Sequence, residues 1–248
     1  VSTEDIPDLT YDISQCVHRK DLPPETLAPW GGAALPGRVL RRLADGTLRS
    51  ALASPAKGWQ ATSARADGAL TQLFVLEGQV RIGETTLGPF GFAALPGDRP
   101  LEIEVLTESE WIVIVDAPVA GASPEPVLHA DCHSIEPFVP VIEGRLLEGF
   151  ERRVLWLDAR SGADTRLLKV PPRFGGVGGG NWHPVEEEIF CIEGDIQPDD
   201  TRPMRAGSFL WNPARSIHGF NERTEGGCLL LEWHDGPWDL HLATPREN

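Results

Sequence analysis

The chain repeats itself. Leu73-Phe74-Val75-Leu76-Glu77-Gly78-Gln79-Val80 is echoed by Ile189-Phe190-Cys191-Ile192-Glu193-Gly194-Asp195-Ile196, which sets Gly78 and Gly194 116 positions apart. At the same spacing Gly91 meets Gly207 and Cys16 meets Cys132, and residues 107–108 and 111–115 correspond more loosely to 224–225 and 228–233. Self-similarity of this kind means that one module has been used twice. Each copy alternates short apolar runs with Gly, Pro and Asp, and in the first copy residues 72–80, 83–87, 101–105 and 111–115 read as strands. Short strands at such spacing build a sandwich or a small barrel. The 26 Gly and 22 Pro spread along the chain fit turns better than long helices. Residues 117–126, rich in Pro and Ala, form the connector, so the expected units are residues 1–120 and 121–248.

Charge and apolar patterning exclude several roles. With 37 acidic against 22 basic residues the formal net charge is −15, the wrong sign for a phosphate backbone, so no nucleic-acid partner is expected. The longest apolar runs, such as residues 111–115, fall far short of the roughly 20 residues that span a bilayer, and the first residues lack the basic start and apolar stretch of a secretory leader. A cytoplasmic protein is expected. Cysteines 16, 132, 191 and 228 show no CxxC spacing, so reduced thiols are the default.

The second copy carries the chemistry. Gly180-Asn181-Trp182-His183-Pro184-Val185-Glu186-Glu187 runs into the repeated strand, and Gly207-Ser208-Phe209-Leu210-Trp211-Asn212-Pro213-Ala214-Arg215-Ser216-Ile217-His218 follows. Alternate side chains of a strand share a face, which would put His183, Glu187, Ile189 and Cys191 on one side and Glu186 and Glu188 on the other. His218, beyond the turn at residues 213–216, can bring a second imidazole across the interior. Two imidazoles and one carboxylate form a facial set with open positions, the arrangement of non-haem Fe(II) oxygen chemistry, although the same donors also suit catalytic Zn.

These two segments resemble the signature segments of the cupin superfamily. The first signature, His-x-His, then Glu, then six residues and Gly, is matched by His183, Glu187 and Gly194, with Asn181 in place of the leading His. The second is matched by Gly207, Pro213 and His218, while Arg215 replaces a glycine and Asn221 falls one position short of the usual Asn. The resemblance covers roughly residues 40–118 and 150–235. It implies an all-β protein of two tandem cupin barrels, the double-stranded β-helix or jelly roll. It also implies a divalent metal on His183, Glu187 and His218; Fe(II) is preferred, with Zn, Mn or Ni as the other candidates. Asn181 could give a weak oxygen ligand, hold a metal-bound water, or do neither. His234, at the end of the last core strand, could replace the missing imidazole, bind substrate, or be a plain strand-end histidine.

The first copy cannot hold such a site. At the repeat spacing His183 maps to Asp67, Glu187 to Thr71 and Asn181 to Arg65, and no histidine occurs from Arg19 through Leu128. Its expected role is structural. In the second copy, Trp182, Ile189, Cys191 and Phe220, with Trp211 and His234 behind them, are the candidates for an apolar substrate pocket. The glycines of residues 175–180 lack the Lys and Ser/Thr of a phosphate loop and read either as a passive connector or as a flap. No GxSxG elbow occurs, and Cys191 has no designated base, so covalent catalysis is unsupported. The leading expectation is an Fe(II) dioxygenase acting on a small organic substrate that chelates through oxygen. A Zn- or Mn-dependent isomerase, lyase or hydrolase is the nearest alternative, and a non-enzymatic sensor or binding cupin the third. A homodimer is the expected assembly.

Overall fold

The computed structural model describes residues 10–11, 14–30, 32–116, 124–142, 144–176, 179–199 and 202–243. The expected all-β class is what it shows: the described residues form strands and turns, with two 3-10 turns at Arg19–Asp21 and Cys132–Ser134. No helix among them is long and apolar enough to cross a membrane. The chain divides into two compact units, one of residues 19–135 and the other of residues 1–18 together with 136–248.

In the unit of residues 19–135, a seven-stranded antiparallel sheet runs in the order Val127–His129, Phe92–Pro96, Leu70–Glu77, Glu110–Val115, Leu48–Ala53, Leu35–Arg42, Glu25–Leu27. A four-stranded sheet, Gln60–Thr62, Glu102–Val105, Val80–Ile82, Thr85–Leu87, completes it. One core joins the two: Leu73, Val75, Trp111, Val113 and Leu95 from the large sheet meet Val80, Ile82, Leu87, Ile103 and Val105 from the small one. The alternation of positions 73 and 75, and of 111, 113 and 115, is the period-two pattern of side chains directed to one face. Trp30, Trp59 and Trp111 crowd together there, with ring centroids 5.8 to 6.4 Å apart. Where the other unit keeps polar side chains, this interior is filled with indole.

The second unit repeats the strand order: Gln15–His18, Ser208–Asn212, Glu187–Ile196, Cys228–His234, Asp164–Val170, Glu151–Leu157. The repeated Glu-Gly has a structural cause. Cys191 and Glu193 face consecutive residues Leu230 and Leu229, so Ile192 is bulged out, and Val75 and Glu77 face Trp111 and Glu110 in the same way around Leu76. Gly78 and Gly194 follow each bulge at φ +83° and +73°, where a Cβ would run into the carbonyl of Glu108 or Gly227.

The edge strands depart from the sequence expectation. Gln15–His18 pairs with Ser208–Asn212 in the second unit, and Val127–His129 pairs with Phe92–Pro96 in the first. The compact units therefore do not follow the division into residues 1–120 and 121–248. The reason is that edge pairing is made by backbone groups, which leave no side-chain signature. Of the expected connector, residues 117–123 lie outside the described residues, as do residues 177–178 of the glycine-rich approach. The matched cysteines are not equivalent either: Cys16 is a strand residue opposite Leu210, whereas Cys132 starts a 3-10 turn and donates its N–H to the Phe90 carbonyl.

Candidate metal centre

Strand register builds the site. Asp164, His234, Glu187 and Asn212 stand directly opposite one another across four adjacent strands. Side chains directly opposite on neighbouring strands come within bonding reach, and here they form one polar row. His234 Nδ1 lies 2.7 Å from Asp164 Oδ1, its Nε2 lies 3.1 Å from Glu187 Oε1, and Asn212 Nδ2 donates to Glu187 Oε2 at 2.8 Å. The Trp238 Nε1 also donates to Oε1, at 3.2 Å. Glu187 thus has one oxygen clamped from behind and the other turned forward.

Two imidazoles face that forward oxygen. His183 Nε2 lies 3.2 Å and His218 Nε2 3.7 Å from Glu187 Oε2, and the two rings are 4.9 Å apart between centroids. All three residues are buried, and their donor atoms fall within 4.8 Å of one another. In each ring Nδ1 meets a main-chain carbonyl, Val185 O at 2.6 Å from His183 and Ser216 O at 2.9 Å from His218. A carbonyl only accepts, so Nδ1 carries the proton and each Nε2 presents a lone pair. Ligands about 2.1 Å from one ion and roughly 90–110° apart are separated by about 3.0–3.5 Å; the His183 distance of 3.2 Å falls within that spacing and the His218 distance of 3.7 Å just beyond it. The donor set therefore fits a divalent cation.

Burial alone would push the Glu187 carboxyl up, but when His183 is protonated its charge and hydrogen bond, with those of His234, overcome it and hold the group well below the usual carboxylate range; a cation on Nε2 would take the place of that proton. Burial would likewise lower His234, yet its bonds to Asp164 and Glu187 raise it above 6.5. Both ring nitrogens of His234 donate, which fixes Glu187 from the side away from the cluster.

Residues 136–235 match the family model described as a ChrR cupin-like domain. Among solved structures, a Nostoc punctiforme protein provisionally named a dioxygenase superposes with a TM-score of 0.77 at 16% identity, covering 94% of this chain and 87% of the other. The Escherichia coli protein YlbA gives a TM-score of 0.65 at 16% identity over 95% and 96% of the two chains. A variant of Bacillus subtilis oxalate decarboxylase gives 0.59 at 14% identity over 92% and 78%. By the family match residues 136–235 form a cupin-like domain, and the likeness of the whole chain to these structures is one of fold. No curated protein matches it by sequence.

In this cupin-like domain the cluster opens on a cavity of about 90 Å³. Below the polar row, the next cross-strand row is Arg166, Glu232, Ile189 and Leu210, and beyond it Leu168 and Leu230 continue the wall. The cavity is polar at its ligand end and mostly apolar elsewhere. Glu222, half-buried in the wall, has its carboxyl pushed up to about 8 by desolvation and by the charges of Glu187 and Glu232.

The sequence candidates sort unevenly. His183, Glu187 and His218 converge, although not by simple strand alternation: residues 183–186 form a bend between Gly180–Trp182 and Glu187–Ile196. Asn181 lines the cavity and exchanges two main-chain hydrogen bonds with His218, at 2.8 and 2.9 Å, which sets the second imidazole in place. Ile189 is in the cavity wall. The other five pocket candidates point elsewhere. Trp182 stacks on His241 at 4.3 Å and shares a small core with Phe220, Ile217 and Ala243. Cys191 packs in the unit's core with its thiol toward the carbonyls of Glu193 and Gly194. Trp211 alternates with the lining residues Leu210 and Asn212 and so takes the opposite face. His234 does not take the place of the absent imidazole; it sits behind Glu187. Arg215, where the family pattern has glycine, adopts φ +62° and its N–H holds the His183 carbonyl at 2.8 Å.

Asn212, Trp238, Asp164 and Arg152 escaped the sequence reading. For Asp164 and Asn212 the signal was available once strands were aligned, since both fall opposite residues already suspected. Trp238 lies beyond the last long strand and had none.

Proposed function

We propose that this protein is a metal-dependent enzyme whose second unit does the chemistry, most specifically a non-haem Fe(II) dioxygenase acting on a small organic substrate that chelates through oxygen. The observation that carries the reading is the convergence of His183 Nε2, His218 Nε2 and a single Glu187 oxygen at one end of an apolar cavity. A bound Fe(II) would supply oxygen chemistry, and Zn, Mn or Ni in the same donor set would supply Lewis acidity.

The chain's own residues have definite tasks in this reading. Val185 O and Ser216 O keep the two imidazoles in the ligating tautomer. His234 and Trp238 hold Glu187 Oε1, so the carboxylate offers one oxygen and coordination positions stay open toward the cavity. Leu168, Ile189, Leu210 and Leu230 exclude water and accept the hydrocarbon part of a substrate. The likeness to the Nostoc protein is one of fold and adds weight only in that sense.

The test is anaerobic reconstitution with Fe(II), followed by oxygen uptake with a panel of diketones, phenols and keto acids. Uptake dependent on both iron and one substrate class is the expected result. Iron bound at one per chain with no uptake for any class would favour a lyase, an isomerase or a binding module instead, and no metal bound would overturn the reading altogether.

A further inference from the structure

Arg152 brings to the cavity a guanidinium that feels the charges of Glu232, Asp164 and Glu187 without, among the described residues, forming an ion pair. It stands on Glu151–Leu157 opposite Leu168, is 6% exposed, and lines the cavity wall. Its Cζ lies 4.5 Å from the centroid of the Trp238 ring, and the same indole donates to Glu187 Oε1, so the guanidinium sits one side chain away from the ligand carboxylate. Its Nε is buried without a hydrogen-bond partner, and among the described residues no carboxylate closes an ion pair with it. Arg166 makes the contrast. It approaches the same ring, at 5.0 Å, but is ion-paired with Asp164.

A guanidinium has five N–H donors, and burying it is costly unless those donors are met. One indole face offsets only part of that cost. Glu232, also in the wall, acts on Arg152 through its charge, yet Glu232 Oε2 is itself buried without a hydrogen-bond partner. A buried fork of donors therefore faces a cavity that is hydrocarbon at Leu168, Val170, Ile189 and Leu230 and carries Glu187, Glu222 and Glu232 elsewhere in its wall. The complementary ligand is a planar anion with an apolar body.

We propose that Arg152 recognises the carboxylate of a small organic acid in this cavity, which makes it a specificity-determining residue and narrows the substrate class to carboxylates. The inference rests on reading the cavity as the substrate site. It does not require the metal to be iron.

Matched acid and amide pairs test it: butanoate, hexanoate and benzoate against their amides, titrated into the full-length protein by calorimetry and ligand-observed NMR. Both metal-stripped and Zn-loaded samples are used, with metal content measured on each. At least one acid is expected to bind tenfold or more tightly than its amide. In Arg152→Gln that ratio should fall to within twofold, while Arg152→Lys, which keeps the charge and loses the fork, should fall between. Circular dichroism checks that the variants fold; if neither does, the acid-to-amide ratio of the wild type decides. No acid binding better than its amide, or a preference that survives in Arg152→Gln, overturns the proposal. A carboxylate preference in a protein that binds no metal would sink the enzymatic reading and leave the anion site standing; bound metal without the preference would do the reverse.

Discussion

His234→Gln in the metal-stripped protein is the sharpest perturbation of the polar row. His234 is 1% exposed and bridges two buried carboxylates, Asp164 at 2.7 Å and Glu187 at 3.1 Å. Each bond to a charged partner is worth about 1.5–3 kcal/mol, and breaking a buried charge pair by removing one member costs about 3–5 kcal/mol. Glutamine keeps a donor and much of the volume but no charge, so the expected loss is about 3–5 kcal/mol, a large part of the roughly 5–15 kcal/mol that holds a domain together. The pH dependence has a definite sign. His234 is raised in the folded protein above its ordinary 6.5, so its contribution is complete below that value and is lost as pH rises through the raised one. The gap between wild type and variant should accordingly be widest near pH 6 and narrow toward pH 9. Two units make a single global unfolding curve ambiguous, and hydrogen exchange of the peptide covering residues 187–196 reports the relevant one. A loss under about 1 kcal/mol, or one equal at both pH values, would refute the reasoning.

Three further outcomes follow from the same structure. Glu222 stays protonated until about pH 8 in the folded chain against an ordinary 4.5, so the native state binds the extra proton and stability falls as pH rises between those values; Glu222→Gln should flatten that slope in chemical denaturation at pH 5 to 9. Trp111→Ala should cost about 3–5 kcal/mol in the first unit while leaving the metal content of the second unchanged, as read by hydrogen exchange and elemental analysis. Burial pushes the Cys132 and Cys191 thiols up to about 12 and raises Cys228 as well, so at pH 8 a thiol-reactive dye should label the native protein at Cys16 at most and all four cysteines only after denaturation.

Much of this fold was legible because its information is carried by side chains. The Glu-Gly pairs at 77–78 and 193–194 mark identical bulges, which is why so short a repeat announced the architecture. The edge strands were not legible. Gln15–His18 joins the second unit through main-chain bonds, and the equal spacing of Cys16 and Cys132 suggested an equivalence that the two residues do not have. At the site, strand spacing together with the resemblance to the cupin signatures singled out three side chains that converge, yet the common direction of His183 and Glu187 was attributed to a strand that is in fact interrupted by a bend. Of the pocket candidates, Ile189 lines the cavity but Trp182, Phe220 and Trp211 do not, because part of the wall comes from strands distant in sequence. Arg152, 31 positions before His183, could be found only once Glu151–Leu157 was seen to close the sheet.

Crystals grown with a divalent metal and measured at that metal's absorption edge address the central claim directly. An anomalous peak is expected within bonding distance of His183 Nε2, His218 Nε2 and one oxygen of Glu187, and it should vanish in His183→Ala. A peak elsewhere, or none at full metal loading, would contradict the assignment.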